Sequence, residues 1–484
     1  MTRVYLLNPP FIPHFGRGMR WQDTGRSGTL YYPIWLSYAT GVLEQAGFET
    51  RLVDAPAWGW DEERVVQDAK AFEPALIVVD SGFTSLSNDV RVAQRMKESV
   101  PDALVAFVGP PASQFPDRIL ENEGIDIVAR WEYDFTLREI AEGLERKADL
   151  GSVAGVSYRD GGAAVHNPDR DLTVSADLDG MPFVSAVYAK HLHVEDYFLG
   201  NSLYPEVQLF TGRGCPFQCT FCSWPQTLMG RKYRTRSISS VLDEMEWVQE
   251  NLPQVKEIFL EDDTFTIDKG RVLSFTEEYL RRGLGIVWAC NARADLDYDT
   301  MKRMKEANCR LLIVGYESGN DAILKSIKKG VTVDDIRRFA RDAKRAGLLV
   351  LGDFIIGLPG ETRETIKCTR GLIEEVRPEL LQVSVASPFP GTEFYEWARA
   401  NGYLITDDPN EYLDEQGHQK SIVAYPWLPA EEIVATVDEI LKHYYLSPAY
   451  VPLVLRQVFR RHGRDEAQRI LINARGFMRY VRSR

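Results

Sequence analysis

The segment Thr211-Gly-Arg-Gly-Cys215-Pro-Phe-Gln-Cys219-Thr-Phe-Cys222 places three cysteines at the spacing C-x3-C-x2-C, directly after the apolar run Val207 to Phe210. A [4Fe-4S] cluster normally takes four cysteine ligands, so a loop that supplies three leaves one iron with an open coordination position. That iron can bind a substrate or a cofactor. The spacing therefore predicts that Cys215, Cys219 and Cys222 are metal ligands at the centre of the chemistry.

A structural zinc site is the alternative for these cysteines, and it requires four closed ligands of Cys or His. The other cysteines, Cys290, Cys309 and Cys368, are isolated in the sequence, and the nearest histidine after the motif is His418. No fourth ligand stands at finger-like spacing. The missing partner favours an iron–sulfur cluster over zinc.

With the aromatic residue Phe221 before its last cysteine, the motif resembles the signature of the radical S-adenosylmethionine (SAM) superfamily. The resemblance implies that the open iron chelates the amino and carboxylate groups of SAM, with Phe221 beside the cofactor. It also implies that the reduced cluster cleaves SAM to a 5′-deoxyadenosyl radical. An electron donor of the flavodoxin or ferredoxin type is then expected as a partner.

Composition narrows the class of protein. A chain of 484 residues with 44% hydrophobic content can bury large cores and suggests two to four domains. Six cysteines, three of them in one motif, favour metal binding in a reducing compartment over a disulfide framework. The N-terminus does not have the pattern of a secretory signal, and we find no run of about 18 apolar residues. We therefore expect a cytoplasmic protein, and the net charge of -13 argues against a nucleic-acid partner.

Residues 1–145 alternate between short apolar runs and amphipathic helical patterns, which indicates a doubly wound parallel sheet. The predicted strands are Val4–Leu7, Thr50–Asp54, Ala75–Asp80, Leu104–Gly109 and Ile125–Ala129. The predicted helices are Ile34–Ala46, Glu62–Phe72 and Val90–Ser99.

The carboxyl ends of these strands carry prolines and small residues, and ligands bind at such ends. Tight turns are the alternative explanation. The domain resembles the cobalamin-binding domain of B12-dependent radical SAM enzymes, which implies that the corrin lies against Asn8, Pro9, Ser81, Gly109 and Pro110. The sequence has no Asp-x-His-x-x-Gly segment, so a bound cobalamin is expected to have no histidine ligand. The alternative is a domain that kept the fold and lost the cofactor.

Residues 146–205 are predicted to be a connector with a β-hairpin around Asp160-Gly-Gly162. Its histidines, His166, His191 and His193, lack a regular ligand spacing, which favours surface or packing roles.

Strand–helix alternation resumes over residues 206–404. Strands are predicted at Glu257–Asp262, Ile286–Cys290, Arg310–Glu317, Val350–Gly357 and Leu380–Val385. With the strand before Cys215 they make six β/α units, too few to close an eight-stranded barrel. We expect a partial barrel that is open on one side, with the chemistry at the carboxyl ends of its strands.

By resemblance to radical SAM enzymes, polar and small residues at these strand ends are the predicted SAM contacts. Glu261, Asp262 and Asp263 stand in place of the motif that binds the methionine amine, and Arg293 is placed to pair with the carboxylate. Glu317 and Ser318 fall where the ribose is bound, and Ile356 and Gly357 resemble the motif that packs on adenine. Structural ion pairs and turns are the alternative for each.

Several blocks point to a narrower family. They are Tyr32-Pro-Ile-Trp35, Asn167-Pro-Asp-Arg170, Trp224-Pro-Gln-Thr227, Tyr233-Arg-Thr-Arg-Ser237, Val314–Asn320, Ile327–Gly330 and Ser387–Thr392. They resemble the hopanoid-biosynthesis radical SAM proteins that make the cyclitol ether head group. That resemblance implies ring contraction of a hopanoid-linked amino sugar. The segment 223–237 also carries four cationic residues, expected either near an anionic cofactor or in a solvated loop.

Residues 405–484 are predicted to be helical, with helices at Ala430–Tyr444 and Asp465–Val481. The last helix has arginines 469, 475, 479 and 482 on one face and Ile470, Ala474, Phe477, Met478 and Val481 on another. One interpretation is that this helix caps the open barrel and exposes its basic face to solvent. Weak attraction of the arginines to an anionic membrane, at the inner membrane face, is the other.

Two rival functions stay open. A cobalamin-dependent radical SAM C-methyltransferase differs from a ring-contracting enzyme by its methylated product. A non-catalytic cobalamin or redox sensor would bind the cofactors without cleaving SAM, and it gives the strand-end acids and Arg293 no role.

Overall fold

The computed structural model describes residues 2–17 and 22–483 and arranges them in two large sheets followed by a helical region. The N-terminal sheet contains β1 Arg3–Asn8, β2 Glu49–Asp54, β3 Leu76–Asp80, β4 Leu104–Val108, β5 Ile127–Ala129, β6 Val156–Asp160 and β7 Ala163–His166. Its strand order is β2-β1-β3-β4-β5-β6-β7, with the first five strands parallel and the last two antiparallel. The predicted hairpin is therefore the edge of this sheet.

Helices cover both faces of the N-terminal sheet. They are α1 Ile34–Gln45, α2 Ala55–Trp58, α3 Glu62–Phe72, α4 Leu86–Ser99, α5 Pro110–Gln114, α6 Pro116–Leu120, α7 Asp134–Arg146, α8 Ser175–Gly180 and α9 Val184–His191. Alternate residues of one strand serve opposite layers: Val4 and Leu6 share a core with α1 and α7, whereas Tyr5 and Leu7 share another with α3 and α4. This is why the strands are continuous apolar runs and not alternating ones.

The second half of the chain is a partial barrel. Its strands are β8 Glu206–Leu209, β11 Glu257–Leu260, β12 Val287–Ala292, β13 Cys309–Glu317, β14 Leu349–Ile356 and β15 Leu380–Val385, and a small ribbon pairs β9 Gly212–Arg213 with β10 Arg234–Thr235. The order β15-β14-β13-β12-β11-β8 is parallel throughout and has β15 and β8 at its two edges. The prediction of six strands in a barrel open on one side is confirmed.

The helices of this half alternate with the strands. They are α10 Trp224–Thr227, α11 Ile238–Asn251, α12 Lys269–Arg282, α13 Tyr298–Glu306, α14 Asp321–Ser326, α15 Val333–Ala346, α16 Arg363–Val376 and α17 Glu393–Ala400, followed by α18 Ala430–Leu446, α19 Val451–Val458 and α20 Gly463–Ser483. Helix α15 shows how local sequence sets the bounds. Thr332 caps its first turn through the amide of Asp335, and Gly347, with φ 79°, ends it in the left-handed conformation.

Helix α20 lies in the gap between the two edges of the barrel. On the β15 side Phe477 packs on Tyr445, with ring centres 5.6 Å apart, and the Tyr445 hydroxyl donates to the carbonyl of Leu381. On the β8 side Arg469 donates to the carbonyl of Gly200 at 2.8 Å. The barrel is thus closed laterally by the last helix, as expected of a cap.

The prediction that Arg469 belongs to an exposed basic face is wrong. Its side chain is 2% exposed, because the carboxylate of Glu466, one turn earlier, and the side-chain oxygen of Gln457 accept its hydrogen bonds. Arg475, Arg479 and Arg482 are exposed. Within residues 2–17 and 22–483, we find no helix with the length and apolar character needed to cross a bilayer.

Two of the four cationic residues in segment 223–237 form buried ion pairs, and one of these pairs joins the two halves of the chain. Arg234 forms a buried ion pair with Glu132 at 2.7 Å, and Arg236 forms one with Glu244 at 2.5 Å. Neither a solvated loop nor a cofactor site describes these two side chains. Each charge is balanced by a buried carboxylate inside the protein, and the pair of Arg234 with Glu132 links the barrel to the N-terminal domain.

Candidate functional site

The three cysteines of the motif line one cavity at the carboxyl ends of the barrel strands. Their loop is fixed by backbone bonds, because the amide of Cys215 donates to Gly230 at 3.3 Å and that of Thr220 to Ile327 at 3.1 Å. Gly214 is required here. Its φ is 85°, and a Cβ would lie 2.2 Å from the carbonyl oxygen of Lys232.

The donor set fits a cluster. In the described part of the chain, no three His, Cys, Asp or Glu side chains converge as the ligands of a single metal ion would. In a [4Fe-4S] cluster each iron takes its own thiolate, so three sulfurs surround a cube and need not meet at one point. Burial, with a further contribution from the charge of Asp263, raises the pKa of the Cys215 thiol to about 11. Iron binding is what makes the thiolate favourable there.

Of the three acids predicted after β11, Glu261 and Asp263 line the cavity and Asp262 does not. The carboxylate of Asp262 accepts hydrogen bonds from the amide and the hydroxyl of Thr211, both at 2.6 Å, and so ties β11 to the start of the cluster loop. Burial raises the pKa of Asp262 to about 6, although the two hydrogen bonds from Thr211 lower it.

Arg293, at the end of β12, lies against the cluster loop. Its guanidinium donates to the carbonyl of Lys329 at 2.7 Å and pairs with Asp295 at 3.3 Å. Its charged carbon lies 3.5 Å from the centre of the Phe217 ring, inside the cysteine motif. The side chain lines the cavity, as a partner for a carboxylate must.

Glu317, at the end of β13, also lines the cavity and pairs with Lys329 at 2.6 Å. Its backbone has φ 62° beside an irregularity in the pairing of β13 with β14, a strained conformation for a residue other than glycine. Burial opposes the charge on Lys329, yet the carboxylate of Glu317 raises the pKa of that amine. Lys329 was missed by sequence reasoning, and its place in Ile327-Lys-Lys-Gly330 was the available signal.

Of the remaining predicted SAM contacts, one lines the cavity and three do not. Phe221 lines the cavity, whereas Ser318, Ile356 and Gly357 are buried outside its lining. Ser318 instead lies 3.3 Å from the hydroxyl of Thr369. On β14 the cavity is lined by Leu351, Asp353, Phe354 and Ile355.

The five predicted cobalamin contacts meet at one edge of the N-terminal sheet, because β1, β3 and β4 are neighbours there. Asn8, Pro9, Ser81, Gly109 and Pro110 are all buried. A Cβ on Gly109, whose φ is 99°, would lie 2.3 Å from the carbonyl oxygen of Ser81. At Gly109 this edge is therefore packed too closely for a side chain.

Arg17 lies across part of this edge. It pairs with Asp89 at 2.6 Å and donates to the side chain of Asn8 at 2.9 Å. His14, the one histidine among residues 1–145, is exposed on the same segment.

The cavity has a volume of about 480 Å³ and two chemically different ends. One end carries the cysteines together with Glu261, Asp263, Arg293, Glu317 and Lys329. The other is lined mainly by the apolar side chains of Leu446, Ile470, Ala474, Phe477 and Met478, with Arg469 and Asn473 as the polar residues that α20 adds, so four of the five residues of the predicted apolar face of α20 line it. Tyr450, which lines this end too, donates to the carbonyl just before β15, so the apolar end lies towards the amino ends of the strands.

Comparison with known proteins covers both halves of the chain. Residues 209–373 match the Radical SAM superfamily, and residues 23–141 match the B12 binding domain family.

Relatives and solved structures extend over most of the chain. An uncharacterized methyltransferase of Pyrococcus horikoshii is 27% identical over 90% of this chain and 92% of its own. Hopanoid C-3 methylase of Methylococcus capsulatus is 25% identical over 78% of this chain and 70% of its own. The structure of the radical SAM methyltransferase TsrM from Kitasatospora setae, with cobalamin and a [4Fe-4S] cluster bound, shares the fold with a TM-score of 0.70 at 18% identity, covering 98% and 99% of the two chains.

A B12 binding domain precedes a radical SAM domain whose cysteine loop lines the cavity. The chain is therefore a radical SAM enzyme of the B12-dependent type, and its cofactors are a [4Fe-4S] cluster, S-adenosylmethionine and cobalamin.

Proposed function

We propose that the enzyme contracts the ring of a lipid-linked amino sugar, of the hopanoid type, to a cyclitol ether. The observation that carries the substrate class is the cavity with one polar and one apolar end. In this proposal the sugar head group lies next to SAM, on the side of the polar end that faces α20, and the apolar body lies along the end lined by α20. The reaction itself rests on the resemblance of the sequence blocks to the cyclitol ether family.

When bound, the cofactors supply a 5′-deoxyadenosyl radical, which can remove hydrogen from an unactivated carbon. The protein holds the reacting groups and excludes water. In this proposal Cys215, Cys219 and Cys222 hold the cluster, while Arg293 takes the carboxylate of SAM through its fork of donors. Glu261 and Asp263 accept from the amine, and Glu317, held in place by Lys329, accepts from the ribose. Ser81, Gly109 and Pro110 support the corrin.

Helix α20 has a separate part in the proposal. Because it fills the lateral gap of the barrel, it keeps bulk water from a radical intermediate. Its inner face also gives the lipid an apolar surface to lie on.

Transfer of a methyl group to carbon is the second candidate. It is favoured by the relatives, since the Pyrococcus horikoshii protein is named a methyltransferase and the Methylococcus capsulatus protein a hopanoid methylase. The same cavity serves either reaction, so the product has to decide.

The test is an anaerobic reconstitution with SAM carrying a deuterated methyl group and a lipid-linked amino sugar as substrate. Ring contraction gives an isomer of unchanged mass together with 5′-deoxyadenosine, because one electron from the flavodoxin or ferredoxin and one proton from water replace the hydrogen that 5′-deoxyadenosine carries away. Methyl transfer gives a product that carries the deuterium label. Cys219→Ala is the control that must abolish both products. A labelled product would overturn ring contraction, and no product from any lipid-linked sugar would overturn the substrate class.

We propose that the electron donor is a flavodoxin or a ferredoxin and that the enzyme works at the inner membrane face. The radical SAM match supports the first part, because the cluster has to be reduced before SAM is cleaved. The exposed Arg475, Arg479 and Arg482 support the second.

A further inference from the structure

Helix α19 has its polar side chain inside and its apolar side chains outside. Gln457 is the buried residue of this helix, and its amide oxygen accepts from Arg469 at 2.6 Å. Val451, Leu455 and Phe459 follow one another at intervals of four residues, which places them on one side of the helix. They are 55%, 48% and 83% exposed. In a surface helix of a water-soluble domain the apolar stripe normally faces the core, so this orientation needs another explanation.

The exposed stripe continues to the mouth of the cavity. Leu446 ends α18 just before this helix, is 56% exposed and lines the apolar end of the cavity. Met478 of α20 is 38% exposed and lines the same end. Leu471, also on α20, is 58% exposed. We call Leu446, Val451, Leu455, Phe459 and Leu471 the apolar ridge.

Positive charge surrounds the ridge. Residues 451–484 contain nine arginines and two carboxylates, in a chain whose net charge is -13. Arg461, Arg464, Arg475, Arg479 and Arg482 are exposed, and one of the two acids, Glu466, is buried in ion pairs with Arg310 and Arg469. An apolar surface with a cationic border complements a bilayer that contains anionic phospholipid.

A second copy of the chain fits this surface less well. In a symmetric dimer the same patch meets itself, so five exposed arginines of one copy would face five of the other. Like charges brought together across an interface oppose association.

We propose that the apolar ridge docks on an anionic bilayer, with Leu455 and Phe459 inserted among the lipids, and that it brings the apolar end of the cavity to the membrane. The docking surface stands on the exposure, charge and position of these residues. Its purpose, the transfer of an amphipathic lipid from the bilayer to the cavity, rests on the proposed function.

The experiment is vesicle flotation of the reconstituted full chain without substrate. Vesicles of phosphatidylcholine with phosphatidylglycerol are compared with vesicles of phosphatidylcholine alone. Leu455→Ser/Phe459→Ser is the test variant, since neither residue lines the cavity. The matched control is Leu280→Ser/Ile405→Ser, whose residues are 42% and 57% exposed elsewhere on the surface.

We expect the wild type and the control to float with anionic vesicles and the test variant to bind about tenfold more weakly or worse, because two large apolar side chains no longer insert. Arg475→Gln/Arg479→Gln/Arg482→Gln should weaken binding at low salt, and high salt should weaken the wild type in the same way. Equal binding by the test variant and the control overturns the proposal. So does a wild-type dimer in light scattering that the test variant turns into a monomer.

Cleavage of SAM in the absence of substrate should be unchanged in the test variant, because its substitutions are outside the cavity. If the enzyme binds vesicles but makes no product from lipid-linked sugars, the docking proposal is supported and the proposed function is wrong. If the enzyme turns over a detergent-dispersed lipid but never binds vesicles, the proposed function is supported and the docking proposal is wrong.

Discussion

The charged carbon of Arg293 lies 3.5 Å from the centre of the Phe217 ring, which joins the end of β12 to the cluster loop. Lysine keeps the charge but loses the planar stack and the forked donors. We therefore expect Arg293→Lys to raise the KM for SAM by on the order of tenfold, and Arg293→Gln by more, while iron content stays the same. Arg303→Lys, an exposed arginine on α13, is the matched control. Loss of iron in Arg293→Lys would show that the stack holds the loop and not the substrate.

The cluster assignment predicts that Cys215→Ala, Cys219→Ala and Cys222→Ala each abolish SAM cleavage. Each removes one of three thiolates and leaves an iron without its ligand. Iron and sulfide content and 5′-deoxyadenosine formation are the measurements. Cys368→Ala, on the exposed side of α16, should keep both. Equal loss of the cluster in Cys368→Ala or Cys290→Ala contradicts the assignment.

The buried pair of Lys329 and Glu317 predicts an asymmetric response to substitution. Lys329→Met leaves the carboxylate of Glu317 buried without its cation, which should destabilise the fold by about 3–5 kcal/mol. Lys329→Met/Glu317→Gln removes both charges and should recover part of the lost stability. Calorimetric Tm values of the wild type, Lys329→Met, Glu317→Gln and the double variant measure the coupling. A double variant less stable than Lys329→Met would mean that the pair is not the cause.

Because the carboxyl of Glu206 is buried, we expect the free energy of unfolding to fall as the pH rises. Burial, followed by smaller effects that include repulsion from Glu257, raises the pKa of this carboxyl from 4.5 to about 8. Between these two values the folded protein holds a proton that the unfolded chain has released, so the free energy of unfolding falls with increasing pH. Glu206→Gln removes this titration and can still accept from Gln208. The Tm of the variant relative to wild type should therefore rise between about pH 5 and about pH 8. A difference that does not depend on pH rejects the explanation.

One added methyl group tests the predicted cobalamin contacts at the edge of the N-terminal sheet. Gly109→Ala places a Cβ against the carbonyl of Ser81, so cobalt content should fall while the cluster is retained. Gly162→Ala is the control, because Gly162 has a similar φ of 91° and open space around it. Cob(II)alamin bound to the wild type should show no imidazole nitrogen coupling in its electron paramagnetic resonance spectrum. Such a coupling, lost in His14→Ala, would contradict the prediction.

Local patterns determined the elements that sequence reasoning found. The helix predicted at Glu62–Phe72 has those bounds in the structure, because Asp61 caps its first turn and the left-handed Glu73 ends it. Most of the barrel strands were recognisable for a similar reason, since they are largely buried apolar runs between helical patterns. The cysteine spacing lies within one loop and needed no knowledge of the rest of the chain.

What the sequence did not reveal depends on contacts between distant segments. Arg234 and Arg236 were expected near a cofactor or in solvent, but Glu132, 102 positions away from Arg234, neutralises one of them inside the protein. Lys329 joins the site only because its loop folds back over β13. The segment Val451–Val458 has the composition of a core helix, and only the tertiary structure shows that its apolar side faces outwards.

The closure of the barrel by α20 separates two tasks within the polypeptide. The cysteine loop and the strand-end residues Glu261, Asp263, Arg293 and Glu317 are encoded between residues 211 and 329, whereas the side chains of the apolar end of the cavity come mainly from residues 446–478. Substitutions in the last helix can therefore reshape which molecules are accepted without touching the residues that hold the cluster. In a lineage of such enzymes, or in a laboratory selection, specificity has a part of the chain in which to vary while the radical chemistry is inherited intact.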